Sequence, residues 1–137
     1  MEKQSRSILA ILSTDIPGYT QKTEEDESYA FTLIAKHRDI ISKHVSESNG
    51  FTFKEMGDGT LSHYPTAIDA SKCSVELQKS IQYNDKLNVR VGIHLGDTMF
   101  KDGDVFGDGV NIASRLESMS PAGGILVSKN VYAVSYT

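Results

Sequence analysis

The 137 residues are enough for one domain with a substantial hydrophobic core, and this is the domain organisation expected. The 14 basic and 18 acidic residues give a net charge of -4, which argues against a basic surface for nucleic acid. Cys73 is the only cysteine, which excludes an internal disulfide framework and favours a cytoplasmic protein.

The first predicted element is a strand over residues 7–13, within the run "SILAILSTD". Its nearly continuous apolar sequence is typical of a strand covered on both faces. The run is far shorter than the roughly 20 residues that cross a bilayer, and no signal-peptide cleavage site follows it. We therefore expect no membrane contact by this domain, whether it stands alone or belongs to a larger, membrane-attached protein.

A long amphipathic helix is predicted next, over residues 23–45, with Gly50 beyond its end. Its apolar residues recur at helical spacing: Ala30, Leu33, Ile34, Ile41 and Val45. Two short β-prone runs, "FTFKEM" and "TLSHY", then flank Gly57-Asp58-Gly59, which predicts a β-hairpin. A second helix is predicted over residues 67–81, followed by a strand in "NVRVGIHLG" and a polar loop.

The last predicted elements are a third helix, which Asp108 caps and Pro121 ends, and a strand in "GILVS". The order is therefore βαββαβ, followed by αβ. Alternation of this kind predicts an α+β fold with helices packed on a mixed sheet. A ferredoxin-like core is the natural candidate.

Two acidic residues stand out because of their local sequence. Asp58 lies between two glycines in the predicted turn, and Asp15 ends the first apolar run. Two such carboxylates could share a metal ion. Taken singly, each also has a simpler interpretation, since aspartate favours turns and strand ends.

Four segments, in this order and spacing, resemble the class III nucleotidyl cyclase catalytic domain: "STDIPGYT", "FKEMGDG", "VRVGIHLGD" and "DVFGDGVNIASRLESMSPAGGILVS". The resemblance covers residues 8–128. It implies an adenylyl cyclase, in which the ribose 3′-hydroxyl of ATP attacks the α-phosphate to give 3′,5′-cyclic AMP and pyrophosphate. A guanylyl cyclase, or a nucleotide-sensing or dimerisation module that lacks catalysis, remains an alternative.

The resemblance also implies a role for each matching residue. Asp15, Asp58 and the backbone carbonyl of Ile16 would hold two divalent ions, Mg²⁺ or Mn²⁺, which suit hard oxygen ligands. Lys54 and Asp104 would recognise adenine, because a lysine donates to a ring nitrogen and a carboxylate accepts from the amino group.

The two remaining predicted site residues, Asn111 and Arg115, are four apart and share one face of the third predicted helix. By resemblance the asparagine orients the ribose and the arginine neutralises charge on the transferring phosphoryl group. The family also implies a homodimer with shared sites, in which one subunit supplies the metal ligands and its partner the other four residues.

Two departures from the family pattern are visible. Ser13 stands where the family usually has an aromatic residue, and the chain lacks the further C-terminal strand pair, with its basic residue for the distal phosphates. A catalytic domain without that pair is therefore expected.

Overall fold

The computed structural model describes residues 4–82 and 87–136. The strands of this part of the chain are β1 (Gln4–Asp15), β2 (Phe51–Met56), β3 (Gly59–Tyr64), β4 (Arg90–Lys101), β5 (Asp104–Phe106) and β6 (Ile125–Val127). The helices are α1 (Tyr19–Glu25), α2 (Glu27–Ser46), α3 (Ala67–Ser80), α4 (Asp108–Met119) and α5 (Lys129–Tyr136).

The strands form one sheet with the order β2-β3-β1-β4-β5, in which neighbouring strands are antiparallel. β6 pairs with β4 in parallel, which makes the sheet mixed. The order β2-β3-β1-β4 is that of a ferredoxin-like βαββαβ unit, so the predicted fold class is confirmed. As expected, β1 is central, between β3 and β4.

Helices cover both faces of β1, which explains its continuous apolar sequence. Ala10 and Leu12 point to the main core, where the sheet packs against α2, α3 and α5, while Ile11 points to the opposite face with Ala113 of α4. All four side chains are completely buried. Because successive strand residues alternate between faces, each position of β1 is assigned to one layer.

The single helix predicted for residues 23–45 is wrong, because the chain breaks at Asp26. This residue has extended backbone (φ -155°, ψ 98°), and its side chain accepts a hydrogen bond from the backbone N–H of Tyr29 at 3.1 Å. Asp26 therefore caps α2, and α1 is a separate helix. On α2, His37 is buried with Ala30, Leu33, Ile41 and Val45, whereas Ile34 is only half-buried.

The start of the third predicted helix also needs correction. Asp108 does not cap α4; Gly107 is the N-cap, with φ +125°, and Asp108 is the first helical residue. Its carboxylate there interacts favourably with the positive end of the helix dipole. The polar loop predicted after "NVRVGIHLG" is in fact a hairpin, since β4 continues to Lys101 and turns back into β5.

Within residues 4–82 and 87–136, no helix has both the length and the hydropathy required to span a membrane.

Candidate active site

Asp15 and Arg90 form an ion pair where β1 ends and β4 begins. The two residues are directly opposite each other in the antiparallel pairing. Nε of Arg90 donates to Oδ1 of Asp15 at 2.8 Å, and Nη2 donates to Oδ2. This bidentate contact raises the pKa of Arg90, with the negative charge of Asp15 adding to the hydrogen bonds. A permanent cation therefore lies against one of the two predicted metal ligands.

Asp58 lies in the two-residue turn between β2 and β3. Gly57 precedes it with φ +51°, a conformation that favours glycine in such a turn. Gly59 follows it, and a Cβ there would lie only 3.0 Å from the carbonyl oxygen of Thr14, so the turn approaches the end of β1 closely. The backbone N–H of Ile16 donates to Oδ2 of Asp58 at 3.3 Å. The fold thus brings Asp58 beside Asp15 and Ile16.

The environment of Asp58 disfavours an unpaired negative charge. Burial raises the pKa of Asp58, and the nearby charge of Asp15 adds to this effect, although hydrogen bonds from backbone N–H groups oppose it. A bound cation would offset the cost of burying the Asp58 charge, and it would also offset the repulsion between the two carboxylates.

The third predicted metal ligand is the carbonyl of Ile16. Ile16 itself is 1% exposed, and its carbonyl accepts the backbone N–H of Tyr19 at 3.2 Å. A carbonyl oxygen has a second lone pair, so this hydrogen bond leaves room for a metal ligand bond.

Glu117 is a third acidic residue at this site, and the sequence did not single it out. It lies on α4. The hydroxyl of Ser13 donates to its Oε1 at 3.4 Å, and Nη2 of Arg90 lies 3.7 Å from its Oε2. Burial and the proximity of Asp15 raise the pKa of Glu117 to about 7, although Arg90 opposes the shift. The hydroxyl of Ser13, the residue noted above as a departure from the family pattern that the resemblance implies, therefore contacts Glu117.

Lys54 lines a pocket together with Asp15, Asp58 and Glu117, because β2 contains a β-bulge. The pairing shifts between Thr52 and Lys54, so that Lys54, rather than Phe53, is opposite Leu61. Such a shift re-aims a side chain, and Lys54 accordingly lies on the α4 face of the sheet. The pocket is lined by residues that include Asp15, Lys54, Asp58, Ser114 and Glu117.

The other predicted site residues lie away from this pocket within one chain. Asp104 begins β5, pairs with Lys101, and accepts a hydrogen bond from the N–H of Val105 at 2.8 Å. Asn111 and Arg115 are exposed on α4, whereas Glu117 of the same helix is buried toward the acids. One chain therefore brings together Asp15, Ile16, Lys54 and Asp58, but not Asp104, Asn111 or Arg115.

The acids offer oxygen ligands of the kind that Mg²⁺ and Mn²⁺ prefer. Among the described residues, no group of three or more histidine, cysteine, aspartate or glutamate side chains is arranged as a metal cluster. Mg²⁺ needs only one or two protein carboxylates when waters and phosphates complete its coordination. The guanidinium of Arg90 shows that the carboxylate of Asp15 accommodates a cation, and Asp58 and Ile16 lie beside it, so the residues fit such an ion.

Comparison with known proteins identifies close relatives. A family profile, described as the adenylate and guanylate cyclase catalytic domain, matches residues 1–136. A protein of Rhizobium meliloti named as a candidate adenylate cyclase is 35% identical over 96% of the chain and 24% of its own length. An adenylate cyclase of Streptomyces coelicolor is 31% identical over 87% of the chain and 32% of its own length. The chain thus spans about a quarter to a third of these curated relatives.

A crystal structure of an adenylate/guanylate cyclase/hydrolase from Silicibacter pomeroyi has the same fold. It is 33% identical and superposes with a TM-score of 0.91, covering 98% of this chain and 83% of that one.

Proposed function

Since the chain belongs to the adenylate and guanylate cyclase catalytic domain family, we propose that it converts ATP to 3′,5′-cyclic AMP and pyrophosphate. One observation carries the proposal: the backbone N–H of Ile16 donates a hydrogen bond to Asp58, which places Asp58 beside Asp15 and Ile16. The names of the two curated relatives support adenylate cyclase activity.

Asp15, Asp58 and the Ile16 carbonyl would hold two divalent ions, Mg²⁺ or Mn²⁺. Such ions supply, when bound, a lower pKa for the attacking 3′-hydroxyl and neutralisation of the phosphate charges. The carboxylates contribute the negative charge that retains cations in this pocket. Because Asp58 lies on a tight turn flanked by glycines, little side-chain bulk separates it from Asp15.

Arg90 would serve the phosphate groups. Its guanidinium fork matches the geometry of phosphate oxygens as well as that of a carboxylate. Asp15 and Asp58 line a second pocket together with Arg90, Gly18 and Thr20. A triphosphate held there would place its charge next to this guanidinium. Arg90 can thus provide part of the positive charge that the phosphate groups need.

Lys54 and Asp104 would select adenine. Lysine only donates, and an ionised carboxylate only accepts, which matches the ring nitrogen and amino group of adenine; guanine presents the opposite pattern. The two residues lie on opposite edges of the sheet, in β2 and β5. In the proposed shared site, one subunit would supply both residues to the base, and its partner would supply the metal ligands.

We therefore propose that the 137 residues act as one catalytic domain within a homodimer that shares its sites. Asn111 and Arg115 lie on the exposed face of α4, from which they could reach the acids of a second copy. Large apolar side chains are exposed on the sheet, among them Ile8, Phe51 and Phe106, at 67%, 62% and 49%. Covering such side chains would favour association.

The test is to incubate the purified chain with ATP or GTP and Mg²⁺ or Mn²⁺ and to identify the products by chromatography. Cyclic AMP from ATP, absent with Asp58→Asn, is expected. Cyclic GMP as the main product would instead indicate a guanylyl cyclase. Nucleotide binding without any cyclic product at high protein concentration would favour the sensing module.

A further inference from the structure

The guanidinium of Arg90 lies between two carboxylates from different layers of the fold. On one side it binds Asp15 of β1 through two nitrogens. On the other side Nη2 is 3.7 Å from Oε2 of Glu117, and Nη1 donates to the carbonyl of Ser118 at 3.0 Å. Asp15 and α4 thus compete for the same guanidinium, and α4 already holds one of its nitrogens.

Glu117 is held in place next to Arg90. It is 7% exposed, and Ser13 donates to its Oε1 at 3.4 Å. The hydroxyl of Ser118, which donates to the carbonyl of Ser114 at 3.0 Å, lies 3.4 Å from its Oε2. Close packing fixes its backbone, because a Cβ at Gly92 of β4 would lie 2.3 Å from the Glu117 nitrogen. The absence of a side chain at Gly92 therefore lets α4 approach the sheet and keeps Glu117 within reach of Arg90.

We propose that Glu117 is a positioning residue that retains the Arg90 guanidinium when a divalent cation occupies Asp15. This inference rests on the metal site of the proposed function. The same oxygens of Asp15 do not serve a bidentate guanidinium and a divalent cation at once. The side chain of Arg90 is only 25% exposed, so leaving its charge without a carboxylate there is unfavourable.

A small movement is enough for the exchange. The bond from Nη1 to the Ser118 carbonyl acts as a pivot, and Nη2 needs to approach Glu117 by less than 1 Å to form a normal hydrogen bond (about 2.8 Å). Glu117 thereby lowers the penalty for releasing Asp15. Its charge should strengthen metal binding through Arg90, without requiring Glu117 to be a metal ligand.

The experiment measures Mn²⁺ binding to the nucleotide-free chain by electron paramagnetic resonance of the free ion, at pH 8. Glu117→Gln is compared with the wild type, and the same substitution is compared in proteins that carry Arg90→Gln. Glu76→Gln is the matched control, because Glu76 is an exposed acid on α3, paired with Lys79 at 3.8 Å. Circular dichroism checks folding, and Glu117→Asp serves if Glu117→Gln does not fold.

Glu117→Gln should weaken Mn²⁺ binding about tenfold when Arg90 is present, and less than about threefold when Arg90 is glutamine. The control should bind as the wild type does. Equal weakening of Mn²⁺ binding in both backgrounds would identify Glu117 as a direct ligand. Unchanged affinity with reduced stability would identify it as a purely structural residue. Either result overturns the inference. Absence of Mn²⁺ binding by the wild type would overturn the proposed metal site as well.

Discussion

The hydroxyl oxygens of Thr14 and Thr60 lie 2.7 Å apart across the pairing of β1 with β3, and Nε2 of His37 lies 3.1 Å from the same Thr14 hydroxyl. All three side chains are at most 3% exposed. Thr14 directly precedes Asp15, and Thr60 follows Asp58 by two residues. This buried polar contact therefore ties together the two backbone segments that carry the acids, with α2 as its support.

Thr14→Val should destabilise the fold by about 2 kcal/mol, because it leaves the hydroxyl of Thr60 and Nε2 of His37 without this buried partner. Thr52→Val is the matched control, since the half-buried Thr52 forms a hydroxyl pair at 3.0 Å with the buried Ser62 on the neighbouring strand. Its loss should be less than about 1 kcal/mol. Urea denaturation at pH 8 measures both, and equal losses would contradict the special role of the Thr14 contact.

His37 should make the stability depend on pH. Burial lowers its pKa from 6.5 to about 4, so the native state binds fewer protons than the unfolded state between these values. The contribution of His37 to stability is therefore fully present above pH 6.5 and is lost as the pH falls toward 4. The contribution of His37 should be a loss of about 2 kcal/mol between pH 8 and pH 5.

The measurement is the difference between the wild type and His37→Gln, in urea denaturation at several pH values. The difference is needed because the raised pKa of Glu117 acts in the opposite direction, favouring the native state as the pH falls. Parallel pH profiles for the two proteins would show that His37 is charged in the native state or that its environment is solvated.

Asp15→Asn and Asp58→Asn should each lower turnover about a hundredfold or more, because each removes a negative charge from the proposed metal site. Their stabilities should differ. Asp15→Asn weakens the bidentate contact with Arg90 and should reduce stability by about 1 kcal/mol, whereas Asp58→Asn removes a partly buried charge and should be neutral or stabilising. Cyclic AMP assays and thermal unfolding separate the two effects; full activity in either variant would exclude it as a ligand.

Lys54→Glu combined with Asp104→Cys should reduce the preference for ATP over GTP by at least about tenfold, because it reverses or removes the donor and acceptor for adenine. The ratio of kcat/KM for the two nucleotides is the measurement. Asp102→Asn is the control, since Asp102 is a neighbouring acid with φ +52°, a conformation that asparagine tolerates. An unchanged ratio in the double variant would remove both residues from base recognition.

Mixing Asp15→Asn with Asn111→Ala should restore activity that neither variant has alone. A mixed dimer would contain one intact site and one doubly damaged site. With random exchange half of the dimers are mixed, so recovery should approach about a quarter of the wild-type activity. No recovery, when mixed dimers are shown to form and the wild type is active, would contradict shared sites.

The same mixing experiment identifies the site that Lys54 serves, if Lys54→Ala replaces Asn111→Ala. Lys54 lines the pocket of the acids in its own chain. Recovery would show that it acts in the site of the partner subunit. Failure to recover, alongside recovery with Asn111→Ala, would show that it acts beside the acids of its own chain.

The order of the elements could be predicted because local patterns determine it. The turn at Gly57 and Asp58, and the apolar face of residues 67–81, depend on neighbouring residues, and both were predicted correctly. The break at Asp26 was missed because residues 20–28 contain no hydrophobic residue whose spacing could mark it, and Thr23 with the acids after it has the pattern of a single helix start. Only the competition of a capping side chain with the helical backbone separates α1 from α2.

The site was predicted less completely because tertiary contacts build part of it. The bulge at Phe53 re-aims Lys54, and simple alternation along β2 would have placed Lys54 on the opposite face from Phe53. Arg90 left a signal that could have been used: in an antiparallel pairing, the basic start of β4 is placed opposite the acidic end of β1. Glu117 left none, because its burial depends on how closely α4 approaches Gly92.

The break at Asp26 has a consequence for local stability. α1 has seven residues and none of them is buried, whereas the twenty residues of α2 include five that are buried. So short a helix has few internal hydrogen bonds, and its amide protons should exchange with solvent through openings that leave α2 intact. The segment that closely follows Asp15 and Ile16 can therefore unwind and re-form as a separate unit, while β1 and the β2–β3 hairpin keep their hydrogen bonds.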